Sequence, residues 1–210
     1  MFSTRYRAIP ALGLLLCAIS LSSCTGPSPS PTSVGQTSTG PSAGTPSQQP
    51  TQGRDGSVLL PTAEIQTCAA LSPDRIREIL GEAADTIQPA EVAGTIDPSG
   101  TRREDCLYPL DQTGATTHAV IFSIATYPDS TVLENSKPWD SLMAPTPVTG
   151  FRGETRYSVN KLSESTEFVL QMVEGVKVHR LMVAQPTASV SWSDEEGLSA
   201  LEELARTAGF

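Results

Sequence analysis

The chain has 210 residues, with 14 Lys and Arg against 23 Asp and Glu, a formal charge of −9 at pH 7 and a pI near 4.7. Apolar residues make up 38%, enough to build a packed core. The acidic balance excludes the basic clusters that nucleic acids and anionic lipid surfaces call for, so no nucleic-acid partner is expected.

The chain opens with Arg5 and Arg7 ahead of an apolar stretch from Ala8 to Leu21. That stretch is shorter than the ~20 residues of a membrane-spanning helix and is patterned as the n- and h-regions of a secretory signal. Leu21-Ser22-Ser23-Cys24 closes it, with small residues where a signal peptidase tolerates little bulk. This segment resembles the lipobox of bacterial lipoproteins. The resemblance implies a signal peptide over residues 1–23, a diacylglyceryl group on the Cys24 thiol, and cleavage that leaves Cys24 as the new N-terminus, open to further acylation. The expected address is the extracytoplasmic face of the cell membrane, lipid-anchored. An ordinary secretory signal favours an A-x-A-like site and needs no cysteine there. Removal of residues 1–23 leaves 187 residues with 12 basic and 23 acidic side chains, a formal charge of −11. Attachment then falls to the acyl chains, because a single chain binds membranes marginally and two anchor stably.

Residues 24–61 are dominated by Ser, Thr, Pro, Gly and Gln and read as a disordered tether. A flexible chain of this size spans roughly 30–36 Å, and up to ~110 Å as polyproline II. Of the four cysteines, Cys17 leaves with the signal and Cys24 carries the lipid, so Cys68 and Cys106 remain. In an exported protein one leftover pair reads as a disulfide, closing a loop of about 38 residues and stabilising the fold by roughly 3–4 kcal/mol. The competing reading is a metal or redox pair, but C-x-x-C spacing and a neighbouring histidine are both missing.

Residues 62–210 read as one α+β domain. Ser72-Pro73 followed by Ile76, Ile79, Leu80 and Gly81 predicts a short helix with an N-cap, Pro at its first position and a Gly stop. Strands are predicted over Asp105–Leu110 and His118–Thr126, the second with Val120, Phe122 and Ile124 on one face. Thr131–Met143 predicts a short helix and a loop, since Pro138 breaks a single helix. Thr155–Asn160 predicts a strand, and Glu167–Val173 with Val176–Ala184 a hairpin turning at Glu174-Gly175. Ser193-Asp194-Glu195-Glu196 is a capping box opening a helix to about Ala208, with a stripe of Leu198, Leu201, Leu204 and Ala205. Such an order predicts an antiparallel sheet packed with N-terminal and C-terminal helices.

A catalytic constellation is not found: nucleophile elbow, S-x-x-K motif and Walker loop are all missing. No catalytic residue, metal ligand or cofactor is therefore assigned. His118 and His179 each stand alone in a strand pattern and read as surface residues. Glu104-Asp105 lacks the repeated oxygen ligands of a calcium loop. Gly150-Phe151-Arg152-Gly153 reads as a turn, and Glu202-Glu203 as the exposed side of the last helix. Arg102-Arg103 is a small basic spot in an acidic chain, read first as a loop and second as an anion contact.

Cys68-Ala69-Ala70-Leu71-Ser72-Pro73, the Ile79-Leu80-Gly81 helix end and Asp105-Cys106-Leu107-Tyr108 together resemble a family of actinobacterial lipoproteins of unknown function. The lipobox, the Ser/Thr/Pro tether and the Leu- and Ala-rich last helix are also similar to that family's layout. The resemblance implies a Cys68–Cys106 disulfide pinning the first helix to a later strand. It also implies an α+β sandwich similar to the PsbP/Mog1-like fold. It supplies no catalytic residue. The expected function is a non-catalytic envelope binding domain whose ligand is a lipid, a cell-wall fragment or an envelope protein. The alternatives are an envelope hydrolase with a dispersed active site, or an accessory subunit of an envelope complex.

Overall fold

The computed structural model describes residues 55–210. The expected signal segment, Cys24 and the stretch expected to be a tether, up to residue 54, lie outside the described residues. Eight strands form one antiparallel sheet in the order β1-β2-β3-β4-β8-β7-β6-β5. The strands are β1 Val58–Leu59, β2 Glu91–Ile96, β3 Arg102–Pro109, β4 Ala119–Thr126, β5 Thr146–Val148, β6 Glu154–Lys161, β7 Ser165–Glu174 and β8 Lys177–Pro186. Two four-strand meanders, β1–β4 and β5–β8, thus meet along their last strands, with Phe122 opposite Leu181 at the centre.

Three α-helices flank the sheet: α1 Pro73–Leu80, α2 Ser130–Asn135 and α3 Asp194–Thr207. In α1 the Ser72 hydroxyl accepts a hydrogen bond from the Arg75 amide, and Pro73 occupies the first turn. Such a cap satisfies an amide with no partner in the helix. Gly81 ends the helix with φ +58° and passes directly into a 3-10 turn, Gly81–Ala84. In α3 the Ser193 hydroxyl accepts from the Glu196 amide while the Glu196 carboxylate accepts from the Ser193 amide, completing the box.

Strand alternation divides the sheet into two faces. One face carries Cys106, Tyr108, Val120, Phe122, Phe168, Leu170, Leu181 and Val183, which form the main core with α1 and α3. The α3 stripe is Gly197, Leu201, Leu204 and Ala205, all buried, with Leu198 at its margin rather than within it. Gly197 is required there, because a Cβ would lie 2.2 Å from Cδ1 of Phe168. The other face is covered by the crossover from β4 to β5, which contains α2. Leu133 packs near Ala125 and Val178, and Leu142 with Trp139 packs on Val169 and Met182.

Three strands depart from the sequence expectation. Residues 58 and 59 fall in the stretch assigned to the tether, yet they pair with Ile96 and Thr95, and Leu60 donates its amide to the Gly94 carbonyl. β2 carries Gly94 at its middle, where glycine ordinarily weakens a strand. Here a Cβ would come within 2.7 Å of Ile65, so the glycine admits the N-terminal segment against the sheet. β5 contains Pro147, tolerated because β5 is an edge strand paired on one side only.

Candidate functional site

Cys68 and Cys106 form a disulfide with their Cα atoms 5.5 Å apart. It joins the 3-10 turn Thr67–Ala70, just before α1, to the middle of β3. Next to it, the fully buried Tyr108 hydroxyl donates to the Leu71 carbonyl at 2.6 Å. Burial pushes the Tyr108 phenol up to about 12, so it stays a donor. This corner is a staple and offers no reactive group.

The remaining candidates are dispersed. His118 lies just before β4, with Nδ1 2.8 Å from Asp111. The Asp111 carboxylate accepts from the Thr113 hydroxyl and pairs with His118, which holds it down at about 2. His179 corrects the surface reading: it lies on the helix-packed face, its ring 5.2 Å from that of the C-terminal Phe210. Its Nε2 is buried without a hydrogen-bond partner, and burial holds its pKa below the ordinary histidine value. Phe210 reaches this place because the chain folds back at Gly209, φ +83°, and stacks on Phe122. Glu104 and Asp105 point to opposite faces. Glu104 accepts from the Thr67 hydroxyl at 2.7 Å, from the Gln66 and Thr67 amides, and from Arg102. Those donors use its lone pairs, and no cluster of three or more metal-ligating side chains occurs among the described residues.

Arg102 and Arg103 are strand residues and correct the loop reading. Alternation along β3 sends the two to opposite sides. Arg102 binds Glu104 and the Glu64 carbonyl on the helix-packed side. Arg103 emerges on the crossover side. Of the arginines in the described residues, it alone has no carboxylate within 4.0 Å.

The crossover face is built on polar residues inside an otherwise apolar sheet. Ser123, Arg180, Gln171 and Arg156 stand side by side on neighbouring strands β4, β8, β7 and β6. The buried Gln171 amide donates to the Pro138 carbonyl, and Arg180 donates to the Ser141 hydroxyl at 2.7 Å. Asn160 accepts from the Met143 amide at 2.9 Å and donates to the Ser141 carbonyl at 3.1 Å. Arg156 lies 4.4 Å above the Trp139 ring. Gln171 and Asn160 supply partners for the backbone of a segment with little regular structure, which a sheet face without polar side chains would leave unpaired, while Arg180 and Arg156 hold its side chains. Sequence reasoning missed them. The signal was Arg180, a charge between Val178 and Met182 on one strand face.

Between this segment and the sheet runs a groove of two joined lobes. The inner one, about 150 Å³, is lined by Arg103, Ser123, Lys137, Gln171 and Arg180. The outer one, about 410 Å³, is lined by Thr95, Asp97, Ser99, Thr101 and Asn135. Arg103, Tyr127 and Ser136 border both. Lys137 sits just past α2 in the left-handed region, φ +48°, where a non-glycine residue is strained. A hollow of about 460 Å³ beside β6 and the start of α3 is larger, but it mixes Lys161 with Asp194 and Glu195 and has no dominant sign. Convergent chemistry therefore favours the crossover groove as the site.

No protein-family model, no curated protein and no solved structure matches the chain.

Proposed function

We propose that the chain is an envelope lipoprotein, held at the extracytoplasmic face of the membrane by a diacylglyceryl and N-acyl group on Cys24, that displays a non-catalytic binding domain. The observation that carries this reading is the sequence Leu21-Ser22-Ser23-Cys24 at the end of a short apolar segment led by Arg5 and Arg7. A domain stapled by Cys68–Cys106 supports it, since disulfides persist in exported proteins. The scattering of His118, His179 and the carboxylates, against one groove where polar groups converge, favours binding over hydrolysis. The ligand belongs to the envelope, as a lipid, a cell-wall fragment or another envelope protein. Membership of the actinobacterial lipoprotein family of unknown function is part of the same proposal. So is the PsbP/Mog1-like sandwich, which the presence of helices on both faces of the sheet supports.

The test is Cys24→Ala. The variant is expected to lose lipid-dependent processing and to leave the membrane fraction while its domain stays folded. Fractionation that finds it still cleaved and membrane-bound overturns the anchoring.

A further inference from the structure

We infer that the crossover groove is an oxyanion site for a phosphorylated polyol, which would be the polar part of the envelope ligand in the reading above. Three cationic side chains, Arg103, Lys137 and Arg180, converge on the inner lobe of a strongly acidic chain. Two form no close ion pair: among the described residues neither Arg103 nor Lys137 has a carboxylate within 4.0 Å, and the acid that faces Arg103 from farther off is Asp97, in the outer lobe. The third is matched loosely, with Glu167 3.9 Å from Arg180 and that carboxylate also accepting from Asn160. Arg103 and Arg180 repel each other on the sheet wall, and burial already disfavours the charged form of Arg180. A bound anion relieves both costs.

The donor set selects the anion. Two guanidinium forks and an ammonium, with the Ser123 hydroxyl on the sheet wall beside the arginines, offer more donors and more positive charge than one carboxylate can use. A phosphate group, with three acceptor oxygens and a charge between −1.5 and −2 in its monoester form, matches them. The inner lobe is small, and the adjoining lobe decides what else the ligand carries. Thr95, Ser99, Thr101 and Asn135 line it with hydroxyl and amide groups, which suit a polyol and offer no bed for an acyl chain. Asp97, the carboxylate in that lobe, is bound by the Ser99 hydroxyl and the Ser99 and Thr101 amides. The acidic remainder of the surface does not defeat the site, because charges beyond a Debye length of about 10 Å are screened at 0.1 M salt. Lys137 adds a separate indication: the chain places a lysine where glycine would be unstrained, and the residue lines the inner lobe.

The experiment is calorimetric titration of the purified lipidated protein with glycerol 3-phosphate, inorganic phosphate and glycerol, at low and high salt. Glycerol 3-phosphate is expected to bind more tightly than inorganic phosphate, glycerol not to bind, and salt to weaken the interaction. Arg103→Gln should weaken glycerol 3-phosphate by about tenfold or more, the loss of one charge-assisted hydrogen bond. Lys137→Gly should weaken it while leaving Tm unchanged or raised, a pair of effects that a purely structural lysine would not give. Lys161→Gln, beside the other hollow, should leave it unchanged. The source of the phosphate is read with the Cys24→Ala chain, which lacks the acyl chains, on phosphatidylcholine vesicles with and without phosphatidylglycerol. Arg103-dependent recruitment to the second kind identifies a headgroup; binding of free glycerol 3-phosphate without recruitment identifies a soluble or polymer-borne phosphate. Equal affinity for inorganic phosphate and glycerol 3-phosphate overturns the polyol part. Absence of phosphate binding, or an Arg103→Gln variant that binds like the wild type, overturns the site. Either result leaves the anchored binding module standing, since Cys24→Ala fractionation tests that separately.

Discussion

The two faces of the sheet are held by different physics. The helix-packed face is apolar and closed: Phe168, Leu170, Leu181, Leu201 and Leu204 are all nearly or fully buried, and α1 and α3 lie over them with their own backbone bonds satisfied. The crossover face is covered by a segment with one short helix, α2, so its carbonyls and amides must find partners in the sheet's side chains. Gln171, Asn160 and Ser158 supply them. The lesson is a division of labour. Area burial on one face stabilises the domain, while the looser, polar seam on the other leaves room for a groove with charge in it.

Truncation on the closed face should show the largest effect. Phe168→Ala removes a buried ring that packs on Gly197 and Trp192, and is expected to cost about 3–5 kcal/mol in denaturant unfolding. Replacing Cys68 and Cys106 together by Ser should cost roughly 3–4 kcal/mol in the same measurement. If either is nearly neutral, the closed face is not the main source of stability. On the open face, Gln171→Ala strands the Pro138 carbonyl and should cost about 1–3 kcal/mol. It should also raise hydrogen exchange in residues 136–143 before it is felt in α3. Uniform loss of protection across both faces would show that the two are not separable.

The smallest effect is a pH dependence on the closed face. Burial lowers the His179 pKa in the folded chain relative to its ordinary value, with Lys177 and Arg152 in the same sense and Glu174 opposed. The fold therefore favours neutral His179. Its contribution is fully present above about pH 6.5, and is lost as pH falls from there toward the lowered folded value, because the unfolded chain takes up the proton first. Thermal unfolding between pH 7.5 and 5 should show a decline that His179→Gln reduces. A variant that declines as steeply as the wild type would assign the loss to other groups.

Much of this molecule was legible without coordinates. Ser72-Pro73, the Ser193-to-Glu196 box and the turn after Glu174 are local signals whose physics is complete within a few residues, and each element formed where it was expected. The Cys68–Cys106 pair was legible by elimination and is formed. What stayed hidden needed a distant partner. Gly94 makes β2 look like a poor strand until Ile65 lies against it, and Val58–Leu59 is too short to announce itself without Ile96 and Thr95 opposite. Arg102 and Arg103 look like a loop until pairing with Thr126 and Ala125 places them in β3.

The sequence by itself determined the ends of α1 and α3, the alternation of the central strands and the Cys68–Cys106 pairing. Those depend on capping, periodicity and counting, all of which are local or arithmetic. Only the tertiary structure decided that two meanders join along β4 and β8, that Arg103, Lys137 and Arg180 share one groove, and that His179 lies beneath Phe210. Those residues are far apart in the chain, and strand pairing and the crossover's path bring them together.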